Sequence, residues 1–274
     1  VLSLEPLPAH LQLSNFSLPI LETLSFNFDH MPMDLPTNER KDPIEIIARH
    51  FWIPQLQRMH VNNILFTPEM GVLFPADCHR TSSIAHLEFT CSIEDWRSGV
   101  GLSCLPNILL CIKKLESFTL EFYTGWEVSD SYINSMEPWE IGQLLHIHTS
   151  TLVRLEIAAS DSAKFSQTSL IGSLAGYTKL KILAIPEPFL VITRSEFGTL
   201  PDVLPPNIEE LQLQFPMFKI PGEDKYRGVR IKRLVSSLSG FALLTLMTLG
   251  EQISKILNTL WDDDCGDTEV CQLI

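Results

Sequence analysis

Basic residues are scarce in this chain: 20 Lys and Arg stand against 33 Asp and Glu, a formal charge of −13 over 274 residues. A surface of that sign repels a polyphosphate backbone, so nucleic acid is excluded as the main partner. Cysteine is sparse too. Cys78, Cys91, Cys104, Cys111, Cys265 and Cys271 form no CxxC pair and no spacing that suits zinc. Several fall on apolar faces, where a free thiol behaves as a small hydrophobe. That usage predicts a reducing compartment, cytoplasmic or nuclear. No apolar run is long enough to cross a bilayer, and no membrane contact is expected. The longest, Leu238 to Leu249, is interrupted by Ser239, Thr245 and Thr248. No secretory signal stands at the start, and Val1 is not an initiator methionine, so the sequence is expected to be a piece of a longer chain.

Catalytic signatures are also missing. Gly99-Val100-Gly101 lacks the third glycine and the preceding strand of a phosphate loop. Ile171-Gly172-Ser173-Leu174-Ala175-Gly176 is not GxSxG, and no base lies near it; a tight packing site is expected there. His146 and His148 are two apart, which on a helix sends them to opposite sides. His148 lies on an apolar stripe and is expected to be a satisfied core or boundary histidine. Asn15-Phe16-Ser17 matches a glycosylation triplet, which the cysteine usage discounts. Cys271-Gln272-Leu273-Ile274 is a poor prenylation box, with Gln where an aliphatic residue belongs. The expectation is no catalytic residue, no metal, no cofactor and no enzyme.

What the chain has in abundance is one phrase, LxxLxL. It runs through Leu21-Leu24-Phe26, Leu56-Met59-Val61, Ile84-Leu87-Phe89, Leu115-Phe118-Leu120, Leu152-Leu155-Ile157, Leu180-Leu183-Ile185, Ile208-Leu211-Leu213 and Leu244-Met247-Leu249. The copies start 28 to 37 residues apart. A period in this range marks stacked supersecondary units rather than one compact core. Leu2-Ser3-Leu4 reads as the end of an earlier strand.

Between the hexads the apolar period lengthens from 2 to 3.6, the signature of an amphipathic helix. Ile44, Ile47, Ala48 and Phe51 form one stripe; Leu105, Ile108, Leu109 and Ile112 another; Ile141, Leu144, Leu145 and His148 a third. Ile231, Leu234, Val235 and Leu238 repeat it, as do Ile253, Ile256, Leu257 and Leu260. Pro106 and Pro138 suit first helical turns, where a missing N–H costs nothing. Shorter helices are expected around Leu170–Tyr177 and Phe197–Leu204. Loops are expected over Asn27–Asp42, Thr67–Arg80, Phe122–Met136, Pro186–Glu196 and Phe215–Tyr226, which are rich in Pro, Gly, Asp and Ser. Strand followed by crossover helix, repeated, predicts adjacent parallel strands in chain order. The fold class is therefore α/β: a curved leucine-rich-repeat solenoid over 1–261, strands on the concave side and helices on the convex, with an acidic tail over 262–274.

Several linking phrases narrow this further. They are Leu144-Leu145-His146 leading to Thr151-Leu152-Val153-Arg154-Leu155, then Ile171-Gly172-Ser173-Leu174, Leu180-Lys181-Ile182-Leu183-Ala184-Ile185-Pro186 and Leu204-Pro205-Pro206-Asn207-Ile208-Glu209-Glu210-Leu211. In their order they resemble the leucine-rich-repeat region of fungal F-box proteins, over about residues 80 to 220. The resemblance implies a non-catalytic protein-binding module, the substrate-recognition region of an F-box-type subunit of a cullin ubiquitin ligase. The F-box itself is not seen in this chain, so a cullin-ligase adaptor is expected as a partner only if an F-box lies upstream. A stand-alone leucine-rich-repeat scaffold is the rival, and a hydrolase a distant third. The usual repeat continues to an Asn or Cys at its ninth position. Asp29, Ile64, Ser92, Tyr123, Ser160, Pro188, Pro216 and Gln252 stand there instead, which predicts an irregular solenoid with no regular ladder between repeats.

The x residues of each hexad point away from the core and should pave the concave face, where a protein partner is expected. They are Arg58, His60 and Asn62; His86 and Glu88; Ser117, Thr119 and Glu121; Arg154 and Glu156; Ile182 and Ala184; and Glu210, Gln212 and Gln214. The basic run Lys225, Arg227, Arg230, Lys232 and Arg233 reads as the solvated side of a helix, with a docking patch for an acidic partner as the alternative.

Overall fold

Alternation sets the sheet. In the computed structural model, residues 2–4, 21–28, 43–64, 72–92, 105–123, 138–159, 170–186, 189–190 and 204–214 are described. Strands β2 (Thr23–Asn27), β3 (Arg58–Ile64), β4 (His86–Ser92), β5 (Ser117–Tyr123), β6 (Arg154–Ala159), β7 (Ile182–Pro186) and β8 (Glu210–Gln214) follow one another in a single sheet, with the short β1 (Leu2–Leu4) on its leading edge. Every neighbouring pair is parallel and strand order equals chain order. Seven of the hexads thus lie in β2 to β8; Leu244–Leu249 falls outside the described residues, as do the two C-terminal helical stripes, the acidic tail and the basic run.

The register is in phase across the sheet. Leu24, Met59, Leu87, Phe118, Leu155, Leu183 and Leu211 form one continuous row of cross-strand partners. All seven are buried, and they belong to one hydrophobic cluster with Ile47, Phe51, Ile108, Leu109, Ile141 and Leu145 of the crossovers. The core therefore lies between one face of the sheet and the helices. Burying a leucine of this kind is worth about 1.5–3 kcal/mol, so the repeated row supplies a steady stabilisation along the sheet.

A main-chain ladder fixes that phase. From the first described hexad to the seventh, the carbonyl of a hexad's second residue accepts the N–H groups of the second and third residues of the next. Glu22 O takes Gln57 and Arg58; Gln57 O takes Ala85 and His86; the pattern continues through Ala85, Glu116 and Val153 to Lys181, with distances of 2.7–3.1 Å. In three copies the residue just before the hexad adds a side-chain clamp to the preceding unit: Ser83 Oγ donates to Leu56 O (3.0 Å), Thr151 Oγ1 to Leu115 O (2.7 Å) and Asn207 Nδ2 to Thr178 O (2.8 Å). This main-chain ladder is a link between repeats that the residue types alone do not announce. Of the ninth positions, Asp29, Ser160, Pro188, Pro216 and Gln252 lie outside the described residues.

Crossover length decides what covers the core. The longer intervals carry α1 (Pro43–His50), α2 (Leu105–Cys111) and α3 (Pro138–Leu145). Among the described residues the 28-residue intervals show no α-helix; the helix expected over Phe197–Leu204 lies almost wholly outside them. Between β3 and β4 the described cover is a 3₁₀ turn at Ala76–Cys78, inside a stretch expected to be loop, with Phe74 packed edge-on against Phe51 (ring centroids 5.1 Å). Between β6 and β7 the expected helix over Leu170–Tyr177 is absent, and turns stand in its place. Ile171, Leu174, Tyr177 and Leu180 are buried while the residues between them are exposed. That is a strict period of three with no i+4 partner, and Gly172 at φ +91° breaks any helix.

Two further expectations about this side need correction. His148 is fully buried, but in a 3₁₀ turn (His146–His148) after α3, and it is only half satisfied. Its Nε2 bonds Leu109 O (3.1 Å), whereas Nδ1 has no partner. Burial, opposed by the bond to Leu109 and helped by the charge of Arg80, pushes its pKa down to about 4. The packing site expected at Ile171–Gly176 depends on a different glycine, Gly142 on α3, which abuts the Ile171 main chain; Gly176 has open space around it.

Candidate interaction face

The opposite face of the sheet is laid out in rows by the same register. Thr23, Arg58, His86, Ser117, Arg154, Ile182 and Glu210 share the first row. Ser25, His60, Glu88, Thr119, Glu156, Ala184 and Gln212 share the second. A third row is broken. Asn62 pairs with Asn27 and stands just before a bulge in β3, where Asn63 takes φ 56°; Glu121 pairs with Thr90 and Ala158; Gln214 pairs with Pro186. The bulge adds a residue to β3 and shifts its register against β4, which resumes at Ile64 opposite Cys91.

A depression of about 760 Å³ lies over β2 to β6 on this face. It gathers Arg58, His60, His86, Glu88, Ser117, Thr119, Glu121, Arg154 and Glu156 among the expected residues. Of the other expected residues, Asn62, Ile182, Glu210 and Gln212 are not part of its lining; the side chain of Gln214 lies outside the described ones. Thr23, Glu116, Val153 and Ala158 join it without having been anticipated. Thr23 is the x residue of the first hexad and was legible by the same rule; Glu116 and Val153 precede the strands and were not. Ala184 corrects the expectation that every x residue meets solvent: it is 2% exposed. A methyl flanked on its row by Glu156 and Gln212 has little surface left to show. Of the two apolar x residues on β7, only Ile182 is left partly open.

Most polar side chains in the depression pair with one another. His60 Nε2 lies 3.3 Å from Glu88 Oε1, across adjacent strands. Arg154 reaches Glu156 two residues along its own strand, with Nη2 at 2.8 Å and Nε at 3.2 Å from the same oxygen. Glu116 pairs with Lys114, and that bond holds its carboxyl below the usual range against the opposing effect of desolvation. His86 sits beside Arg58 in the first row; burial, then the guanidinium's charge, lowers its pKa, while Glu116 pulls the other way. At neutral pH its imidazole is uncharged.

Two charged residues of the lining stand apart. Arg58 and Glu121 are both exposed, and neither forms an ion pair or side-chain hydrogen bond among the described residues. Among the described residues no three His, Cys, Asp or Glu side chains are placed to hold a metal ion, and no helix is long and apolar enough to cross a membrane. Cys78 and Cys111 are unpaired thiols; burial pushes Cys111 up to about 11, away from nucleophile chemistry. The arrangement suits recognition: a broad polar surface on a regular frame.

No family model, no curated protein and no solved structure matches the chain.

Proposed function

We propose that the chain is a leucine-rich-repeat solenoid acting as a non-catalytic protein-binding module, the substrate-recognition region of an F-box-type subunit of a cullin ubiquitin ligase. The observation that carries this is the division of each hexad. Among the described residues its L positions face the core, Leu21 only in part, and most of its x positions assemble into solvent-facing rows. A sheet whose backbone groups are already paired has only those side chains to offer a partner, and a mixed polar and apolar surface is what non-obligate protein interfaces use. The link to ubiquitin rests on the resemblance of the linking phrases alone. In this reading other subunits perform the chemistry, the chain works in the cytoplasm or nucleus, and neither nucleic acid nor membrane is bound.

The test is site-specific photo-crosslinking in cells. A crosslinker at Thr119 on the open face should trap a partner; one at Trp139, 49% exposed on α3, should not. The trapped protein should become longer-lived when the chain is depleted. Trapping from Trp139 alone would move the interface to the helical side. A partner trapped at Thr119 whose lifetime does not change would make the chain a scaffold without a ubiquitin role.

A further inference from the structure

We infer that the open face takes an extended partner segment bearing one acidic and one basic side chain, the acid on Arg58 and the base on Glu121. This rests on the open face being the interaction surface and names what it selects. Because His60–Glu88, Arg154–Glu156 and Lys114–Glu116 are paired internally, a partner gains little from them and must leave them intact. Arg58 and Glu121 have no such internal partner, so a new opposite charge on either is net gain. They are of opposite sign, so a segment with two like charges meets one attraction and one repulsion.

Geometry sets the segment's form. Arg58 aligns with His86 and Ser117 in the first row, two strands from β5, and Glu121 stands four residues beyond Ser117 on that strand. With strands about 4.8 Å apart and about 3.3 Å per residue, the two Cα atoms are roughly 16 Å apart. An extended segment lying along the strands suits this span. Same-side residues four apart span about 13 Å in it, and the reach of the long side chains closes the remainder.

The test uses three dye-labelled serine-rich peptides with charged positions four apart: one Asp with one Arg, two Asp, or two Arg. The full chain should bind the mixed peptide at least about tenfold tighter than either uniform one, about 1.4 kcal/mol. Arg58→Glu leaves two acids on the face and should switch preference to the two-Arg peptide. Glu121→Arg leaves two bases and should switch it to the two-Asp peptide. Both sites are exposed, so both variants should keep the parent's thermal midpoint, which is measured alongside. Equal binding of all three peptides, no binding of any, or a preference that neither variant moves overturns the inference. Should crosslinking at Thr119 still trap a partner in that event, the interaction-face reading survives and only the charge selection falls.

Discussion

Gly142, in the middle of α3, lies so close to the carbonyl of Ile171 that a Cβ built on it would fall inside that oxygen. Tyr177 seals the same junction, its hydroxyl donating to Gly142 O at 3.4 Å. The helix of one repeat is thereby seated on the turn run of the next. Gly142→Ala gains about 1 kcal/mol of helix propensity and loses about 1–3 kcal/mol to overpacking against main chain that has no rotamer to yield. Net destabilisation is expected in a urea melt. A more stable variant would show that the junction is loose.

Leu155, Leu183 and Leu211 occupy one buried row, at 0%, 0% and 3% exposure. Truncating any of them to Ala should cost about 2–5 kcal/mol. A loss below about 1 kcal/mol at any of the three would contradict the strand phase.

His148 gives stability a pH dependence. Its folded pKa is depressed to about 4, against an ordinary value of 6.5. The neutral ring is the stable one inside, so its contribution is complete above about pH 6.5 and is lost as pH falls toward about 4. The full loss is on the order of 3 kcal/mol. His148→Leu should flatten the stability profile across that window, as read by denaturant midpoints at stepped pH. A profile unchanged by the substitution would mean that other groups set the acid transition.

Thr151 clamps β6's repeat to the one before it through Leu115 O. Thr151→Val keeps the shape and removes the donor, and should cost about 0.5–1.5 kcal/mol. Thr151→Ser should restore most of it. Equal losses in both variants would assign the effect to packing instead.

Arg58→Glu and Arg154→Glu should differ in stability although both sit on the first row. Arg58 has no ion-pair partner to lose, so a change within about 0.5 kcal/mol is expected. Arg154 leaves Glu156 facing a like charge, and a loss of up to about 1 kcal/mol is expected at this half-exposed site. Equal thermal midpoints would mean that the Arg154–Glu156 pair contributes nothing measurable.

The strands were legible because their signal is doubled: a period of two and a fixed L-to-L spacing in every copy. The helices at Ile44–Phe51, Leu105–Ile112 and Ile141–Leu145 were legible because i, i+3, i+4 and i+7 are all filled. The turn run at Ile171–Leu180 was misjudged because its period is three, which mimics half of a helical stripe. The rows of the open face followed from the hexads, yet their pairing did not. That His60 meets Glu88 while Arg58 stays apart depends on side-chain conformations across strands. The clamps carry no sequence signal of their own: Ser83, Thr151 and Asn207 stand before the hexad, at a position where the repeat pattern requires no polar residue.

The double acceptance by each hexad's second carbonyl has a consequence for how such a chain can change. It ties successive units at one fixed point, whatever separates them; intervals of 28 and 37 residues meet the same bond. Lengthening or trimming a crossover therefore leaves every side chain of the open face at the same address. Duplicating or deleting a whole unit adds or removes one column and shifts none of the rows. Tinkering with partner choice is thus separable from tinkering with length, and the two can proceed in the gene independently.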